Sequence, residues 1–274
     1  MNNELIFSQL IFPLFKGISS FFVSWFLIKL LIPILLKFFP DQPNDRSSHE
    51  KIKPRGGGIV FVLVTLIYSI NSHSNIILVS SFLAFVSFID DKIHLSSLFR
   101  YVVQLITVLL LIKFSNGINL FGLSHTTPLI YLAILFIYII FFTALINFTN
   151  FMDGIDGLVS GCMSIILFTS AFLLHFDWIP ALIGSLLAFL FWNWEPSKLF
   201  MGDVGSTFLG SVFVGILINA DTQTFFGLLI VSSPLLLDAL TCVFRRLFNS
   251  QPIFKAHKLH LYQRLNQAGI KHNK

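Results

Sequence analysis

Charge is what this sequence has least of. Charged residues fill only 11% of 274 positions, and 13 of them are acidic, against 55% hydrophobic residues that include 33 Phe. A soluble domain carries roughly a quarter of its residues charged, so the composition excludes that class and points to a polytopic membrane protein. Cysteine is nearly absent. Cys162 and Cys242 both fall inside apolar stretches, which argues against a disulfide framework. No internal repeat, low-complexity linker or soluble domain interrupts the chain. The N-terminus has neither a basic region ahead of its first apolar run nor a small-residue cleavage site, so that run is expected to be an uncleaved helix.

What is present is a succession of apolar stretches. Nine of them, near residues 19–39, 57–71, 75–90, 98–114, 127–146, 158–175, 178–193, 204–220 and 223–246, are candidates for spanning helices. Several sit at the low end of the roughly 17 to 25 residues such a helix needs. The expected fold is therefore all-α, a membrane bundle of about nine helices. Residues 1–246 would form the transmembrane domain, and 247–274 a cytoplasmic tail that completes the site.

Lys and Arg are divided between the connections. Of the 18, all but Lys16, Lys29 and Lys113 lie in 37–55, 90–100, 147–157, 194–203 or the tail from 245, which is one alternate set of loops. Because such residues collect on the cytoplasmic side, the N-terminus is expected outside and the C-terminus inside. The net charge of +5 then describes one basic face suited to anionic lipid or phosphate, with no call for nucleic acid. Ten of the 13 acids fall on that face too, leaving Glu4, Asp177 and Asp221 outside. Carboxylates from separate connections can thus converge at one membrane face, where ionisable groups at helix ends mark a candidate functional site.

Each cluster has a plain structural reading beside the functional one. In "FIDDK", Asp90 and Asp91 close a helix about 100° apart, so only one is expected to face a given site squarely. In "NFTNFMDGIDGL", Asp153 and Asp156 are expected to share a helix face, with Asn147 and Asn150 on the approach; the alternative is a capped helix start. "NWEPSKLFMGDVGS" sets Asn193, Phe200 and Asp203 before a helix start, which could be an N-cap or a place for an anion and Mg2+. "DQPNDRSSHEKIKPRGGG" brings Arg46, His49, Lys53 and Arg55 to a flexible glycine run, suited to phosphate or simply a basic cytoplasmic loop. In "AHKLHLYQRL", His257, Lys258 and His260 suit phosphate contact or proton handling better than zinc. Asp238, four residues after Pro234 in a long apolar stretch, could pair with Arg245 or Arg246, while Pro234 could bend that helix beside a lipid groove. Carboxylates, cations and no sulfur ligands together describe a Mg2+ phosphate site at the inner membrane face.

Taken in order, "DQPNDRSSH…PRGGG", "FIDDK", "NFTNFMDGIDGL", "NWEPSKLFMGDVGS", "PLLLDAL" and "AHKLHLYQRL" resemble the polyprenyl-phosphate N-acetylhexosamine-1-phosphate transferases, over residues 41 to 265. The resemblance implies transfer of a sugar phosphate from a UDP-N-acetylhexosamine to undecaprenyl phosphate in the bacterial cytoplasmic (inner) membrane. UMP is released, and Mg2+, with Mn2+ as a substitute, is required. It implies catalytic roles for Asp90, Asp91, Asp203 and His257, with Asp203 the main metal ligand, Asp90 a second one, and Asp90 and Asp91 beside the lipid phosphate. Asn147, Asn150, Asp153, Asp156 and Asn193 would hold the nucleotide and Phe200 would stack on uracil. Arg46, His49, Lys53, Arg55, Lys258 and His260, together with His257, would meet the diphosphate. "NFMDGIDG" is closest to the O-antigen-type initiators. The chain departs from the longer family pattern by ending soon after "LYQRL", either as a compact form or a clipped one. A homodimer is left open, as is the choice between direct in-line attack and a two-step route. The alternatives from other classes are a CDP-alcohol phosphatidyltransferase, which shares the D-x-x-D-G fragment of Asp153 to Gly157, and a transporter.

Overall fold

The computed structural model describes residues 11–43, 51–115, 127–251 and 259–270. Its helices are α1 (Phe12–Phe38), α2 (Ile59–Tyr68), α3 (Asn75–Ile93), α4 (Ser97–Phe114), α5 (Pro128–Phe151), α6 (Leu158–Leu173), α7 (Ile179–Asn193), α8 (Asp203–Ile218), α9 (Thr222–Phe248) and the short α10 (Leu261–Gln267). Four of these, α1, α4, α5 and α9, are long and apolar enough to cross a membrane. Helix α3 has 19 residues but is not among these four, and the remaining apolar helices α2, α6, α7 and α8 are shorter, at 10, 16, 15 and 16 residues. Spanning by all nine apolar helices is thus an inference beyond the lengths themselves. The fold is not purely helical, because β1 (Pro40–Asp41) pairs antiparallel with β2 (Lys53–Pro54) beneath the end of α1.

Helix α8 is the centre of the molecule. Every residue from Val204 to Ile218 is buried, as expected of a helix that is apolar on all sides. Helices α3, α4, α5, α6 and α9 pack around it, while α1 packs on α7 at the periphery. Gly184 permits that outer contact, since a Cβ there would collide with the Gly17 carbonyl of α1. The opposite, outward faces carry the large exposed apolar side chains, among them Phe15, Phe22, Leu129, Phe136 and Ile230, as a lipid-facing surface requires.

Helix α1 begins at Phe12, earlier than expected, and α2 is shorter than expected; two further boundary differences matter to the site. Helix α3 runs to Ile93 and so carries Asp90 and Asp91 within its last turn. Helix α5 continues through Asn147 and Asn150 to Phe151. Within this polar end the side chains bond back to carbonyls one turn earlier, Thr149 to Leu145 and Asn147 to Thr143, so their polar groups are satisfied inside the helix. Asn147 also donates to Gln104 Oε1 of α4 at 2.7 Å, tying the two helices together.

Candidate active site

Five connections meet at one end of the bundle. Directly after β2 the chain runs alongside the segment that precedes α8. Phe200 donates to the Pro54 carbonyl, and Gly57 and Gly58 donate to the carbonyls of Phe200 and Met201, each at 2.9 Å. The approach is closer than side chains allow, for a Cβ on Gly58 would strike the backbone of Gly205. Arg55 is thereby carried over the start of α8.

There Arg55 holds two carboxylates at once, with Nε 2.8 Å from Asp91 Oδ1 and Nη2 2.6 Å from Asp203 Oδ1. Asp91 is also the N-terminal anion of α8: the amides of Asp203 and Val204 donate to its two oxygens at 3.1 and 3.3 Å. Those helix-end amides could have held a ligand phosphate, but a carboxylate from α3 occupies them. Gly202, at φ +78°, makes room, because a Cβ would contact Asp91 Oδ2. Burial acts to lower the proton affinity of Arg55, yet the neighbouring Asp203 and Asp91 keep it raised, so it stays a cation.

Asp90 and Asp91 do not divide into one residue inside the site and one outside it. Asp90 accepts from the Leu95 amide at 2.6 Å and from Arg100 Nη1 at 3.3 Å, and the same Arg100 nitrogen lies 3.6 Å from Asp203 Oδ2. Both acids therefore reach Asp203, through two different arginines. Arg100, on α4, carried no sequence signal beyond its count among the basic residues of that face.

Asp153 and Asp156 share no helix face, because residues 152–157 form a turn between α5 and α6. Two glycines at i+1 of each acid favour the turn over a continued helix. Their side chains diverge. Asp156 accepts from the Ser197 amide at 3.0 Å and lies 3.7 Å from Lys53 Nζ. Lys53 in turn donates to Ser197 Oγ at 2.8 Å and sits 5.0 Å from the Phe200 ring centre. Asp153 belongs electrostatically to the Arg55 cluster. Burial, opposed by Arg55 and helped by the repulsion of Asp203, Asp91 and Asp156, pushes its pKa up to about 7. Among the described residues no hydrogen bond reaches its carboxylate.

Asn193 is a buried brace. Its Oδ1 accepts from the Gly157 amide at 3.0 Å and from Ser160, while Nδ2 donates to the Leu199 carbonyl at 2.9 Å, joining the turn to the loop before α8. Asn150 lies in the last turn of α5, with its carbonyl accepting from the Asp153 amide at 3.1 Å. His260 is buried against Asp238, at 3.6 Å; burial lowers its pKa, with Arg246 acting the same way, although Asp238 opposes the shift. Asp238 makes a different contact from the expected arginine pair, receiving the amides of Leu261 and Tyr262 at 2.8 and 3.1 Å. Arg46, His49, His257 and Lys258 lie outside the described residues.

Among the described residues no three acidic, histidine or cysteine side chains are spaced to hold a metal by themselves. Mg2+ commonly takes only one or two carboxylates together with substrate phosphates, and the oxygen-only donor set around Asp203 suits that mode. Asp203 is the more open ligand, its side chain 20% exposed against 6% for Asp90.

Next to this cluster, an apolar groove of about 500 Å³ runs between α5 and α9, lined by Ile137, Phe141, Phe148, Leu229, Leu236 and Leu240 among others. Its Phe148 end lies one helical turn from Phe151, where the acidic turn begins, and Pro234 stands inside α9 along its other wall.

Residues 73–221 match the family model described as glycosyl transferase family 4. The chain is 29% identical over 282 residues to a probable undecaprenyl-phosphate N-acetylglucosaminyl 1-phosphate transferase of Bacillus subtilis, covering 93% of this chain and 78% of that one. It is 32% identical over 296 residues to a phospho-N-acetylmuramoyl-pentapeptide-transferase of Clostridium beijerinckii, covering 92% and 88%. With an undecaprenyl-phosphate alpha-N-acetylglucosaminyl 1-phosphate transferase of Yersinia pestis the identity is 29% over 84% of this chain and 70% of that one. A family match over more than half of the chain, on an all-α membrane fold that gathers these acids and cations at one end, has one consequence: the chain belongs to glycosyl transferase family 4, among the polyprenyl-phosphate N-acetylhexosamine-1-phosphate transferases.

Proposed function

We propose that the protein transfers an N-acetylhexosamine-1-phosphate from a UDP-sugar to undecaprenyl phosphate, releasing UMP and starting assembly of a cell-envelope glycan. The observation that carries this reading is a polar cluster of five aspartates and three cations opening beside an apolar groove. A polyprenyl chain fits the groove, and a water-soluble nucleotide fits the polar side.

The lipid phosphate oxygen attacks the β-phosphorus, a new P–O bond forms, and the bond to the bridging oxygen breaks so that UMP leaves with that oxygen. Arg55 and Arg100 already neutralise carboxylates and can turn to phosphate oxygens in the same positions, with Asp90 held to orient Arg100 and to accept a proton from a protonated lipid phosphate. Lys53, Asp156 and Phe200 form the uridine-facing side, with Asn193 fixing the turn that carries Asp153 and Asp156. Mg2+ at Asp203, with Asp90 adjacent, would supply charge neutralisation on the diphosphate.

All nine apolar helices are taken to traverse the bilayer of the bacterial inner membrane, with the site on the cytoplasmic face. A helix of 16 residues is only about 24 Å long. The buried position of α8 supports this, since a spanning helix sheathed by protein does not need to reach the headgroups at both ends. The test is product identity. Purified protein with undecaprenyl phosphate, Mg2+ and a panel of UDP-N-acetylhexosamines is expected to yield UMP and a lipid-diphosphate sugar, and to stop with EDTA. UDP as the nucleotide product would overturn the reading, as would CMP formed from a CDP-lipid.

A further inference from the structure

One side chain near the acidic turn belongs to none of the groups assigned above. Tyr262 lies on α10, buried at 8% exposure, and α10 is fastened to α9 by Asp238 through the amides of Leu261 and Tyr262. From there the Tyr262 hydroxyl donates to the Phe151 carbonyl at 3.1 Å. Phe151 is the last residue of α5, so this bond satisfies a helix-end carbonyl at the point where the turn carrying Asp153 departs. The ring also fills the place a side chain would take at Gly154, where a Cβ would collide with the phenol. The stacked rings of His260 and Tyr262, with centroids 5.6 Å apart, brace the phenol from behind.

We propose that Tyr262 is a positioning residue, holding the Phe151–Gly154 backbone so that Asp153 and Asp156 are presented to the UDP-sugar, and that α10 is the strap that delivers it. Two independent contacts on adjacent segments, a hydrogen bond to Phe151 and a steric fit to Gly154, fix the same turn from the same side chain. Burial, with the charge of Asp153 next in importance, pushes the Tyr262 phenol above its ordinary range, so it remains a neutral donor at working pH. The substrate half of this inference rests on the proposed reaction; the structural half does not.

Tyr262→Phe keeps the ring against Gly154 and removes only the donor to Phe151. Hydrogen exchange of the ligand-free protein is the first readout. The peptide covering residues 151–158 should exchange several-fold faster in the variant, with the peptide covering α8 unchanged. Steady-state kinetics is the second: KM for the UDP-sugar should rise about 3- to 10-fold, the size expected for one hydrogen bond, with kcat and KM for the lipid phosphate changing less than about twofold. Asp238→Asn, which weakens the strap's anchor, should move both readouts in the same direction. Unchanged exchange at 151–158 overturns the inference whatever the reaction. Faster exchange with an unaltered KM for the UDP-sugar overturns the positioning role and leaves a packing role. A wild-type protein that makes no UMP counts against the proposed reaction alone, and the inference about the turn then stands or falls on the exchange result.

Discussion

Asp203 stands where the two arginines of the site meet. Arg55 holds one of its oxygens, Arg100 approaches the other, and Asp91 accepts the hydrogen of its own amide. Its replacement therefore separates two effects that the neighbouring acids mix. Asp203→Asn is expected to lower kcat by two or more orders of magnitude with intact folding, because an amide is a far poorer Mg2+ ligand. Asp90→Asn should reduce kcat while leaving the nucleotide KM within a few-fold, since Asp90 acts on the lipid-phosphate side, orienting Arg100 and taking the proton, and holds no part of the nucleotide. Single-turnover and steady-state rates on both variants check this. Asp153 gives a second residue-level prediction. Its folded pKa of about 7 lies above the ordinary carboxylate value, so between these pH values the folded protein keeps a proton that the unfolded chain releases. The stabilising contribution is complete below the unfolded value of about 4 and is lost as pH rises through about 7. Thermal unfolding in EDTA should therefore show stability falling across pH 5 to 7.5, with a shallower slope in Asp153→Asn; an equal slope would contradict the assignment.

At the scale of elements, the site is held together by helices that cap one another. Asp91 on α3 terminates α8, and Arg55 from the β2 connection neutralises the pair. Arg55→Ala would leave the fully buried Asp91 side chain facing Asp203, a loss at the low end of roughly 3–5 kcal/mol because the guanidinium is partly exposed. Adding Asp91→Asn should recover part of that loss, a non-additivity measurable by thermal unfolding of the single and double variants. These ties also explain which parts of the structure were legible in the sequence. The apolar runs and the acids at their ends mark the elements and the face of the site, since both are local patterns. The 152–157 turn defeats the expectation of a shared helix face for Asp153 and Asp156, because its glycines and the Asn193 brace act across the fold. In the extension of α5 past Asn147, the polar groups are satisfied by back-bonding and by Gln104, a partner 43 residues away. Arg100 and Tyr262 act through tertiary contacts, so neither has a role legible in the sequence, although Tyr262 lies inside the AHKLHLYQRL run.

For the whole molecule, the arrangement of charge and the arrangement of helices agree. The connections that carry 15 of the 18 basic residues supply the charged groups of the Asp203 cluster, while Lys16, near the start of α1, meets the Asp177 carbonyl at 3.3 Å, pairing two of the segments expected outside. In a Cys162→Ser/Cys242→Ser background, a membrane-impermeant thiol reagent added to intact cells should label Asn71→Cys and spare Ser250→Cys. The reverse pattern would invert the topology. The central claim, that a lipid phosphate attacks the β-phosphorus of a UDP-sugar at the Asp203 end of the bundle, is tested most directly by the fate of that phosphorus. With UDP-N-acetylhexosamine labelled at the β-phosphate, undecaprenyl phosphate and Mg2+, the label should move into the lipid fraction in step with UMP release, and should stay with the UDP-sugar in Asp203→Asn. Label recovered in UDP while unlabelled sugar enters the lipid would mean attack at the sugar carbon, and would contradict the account.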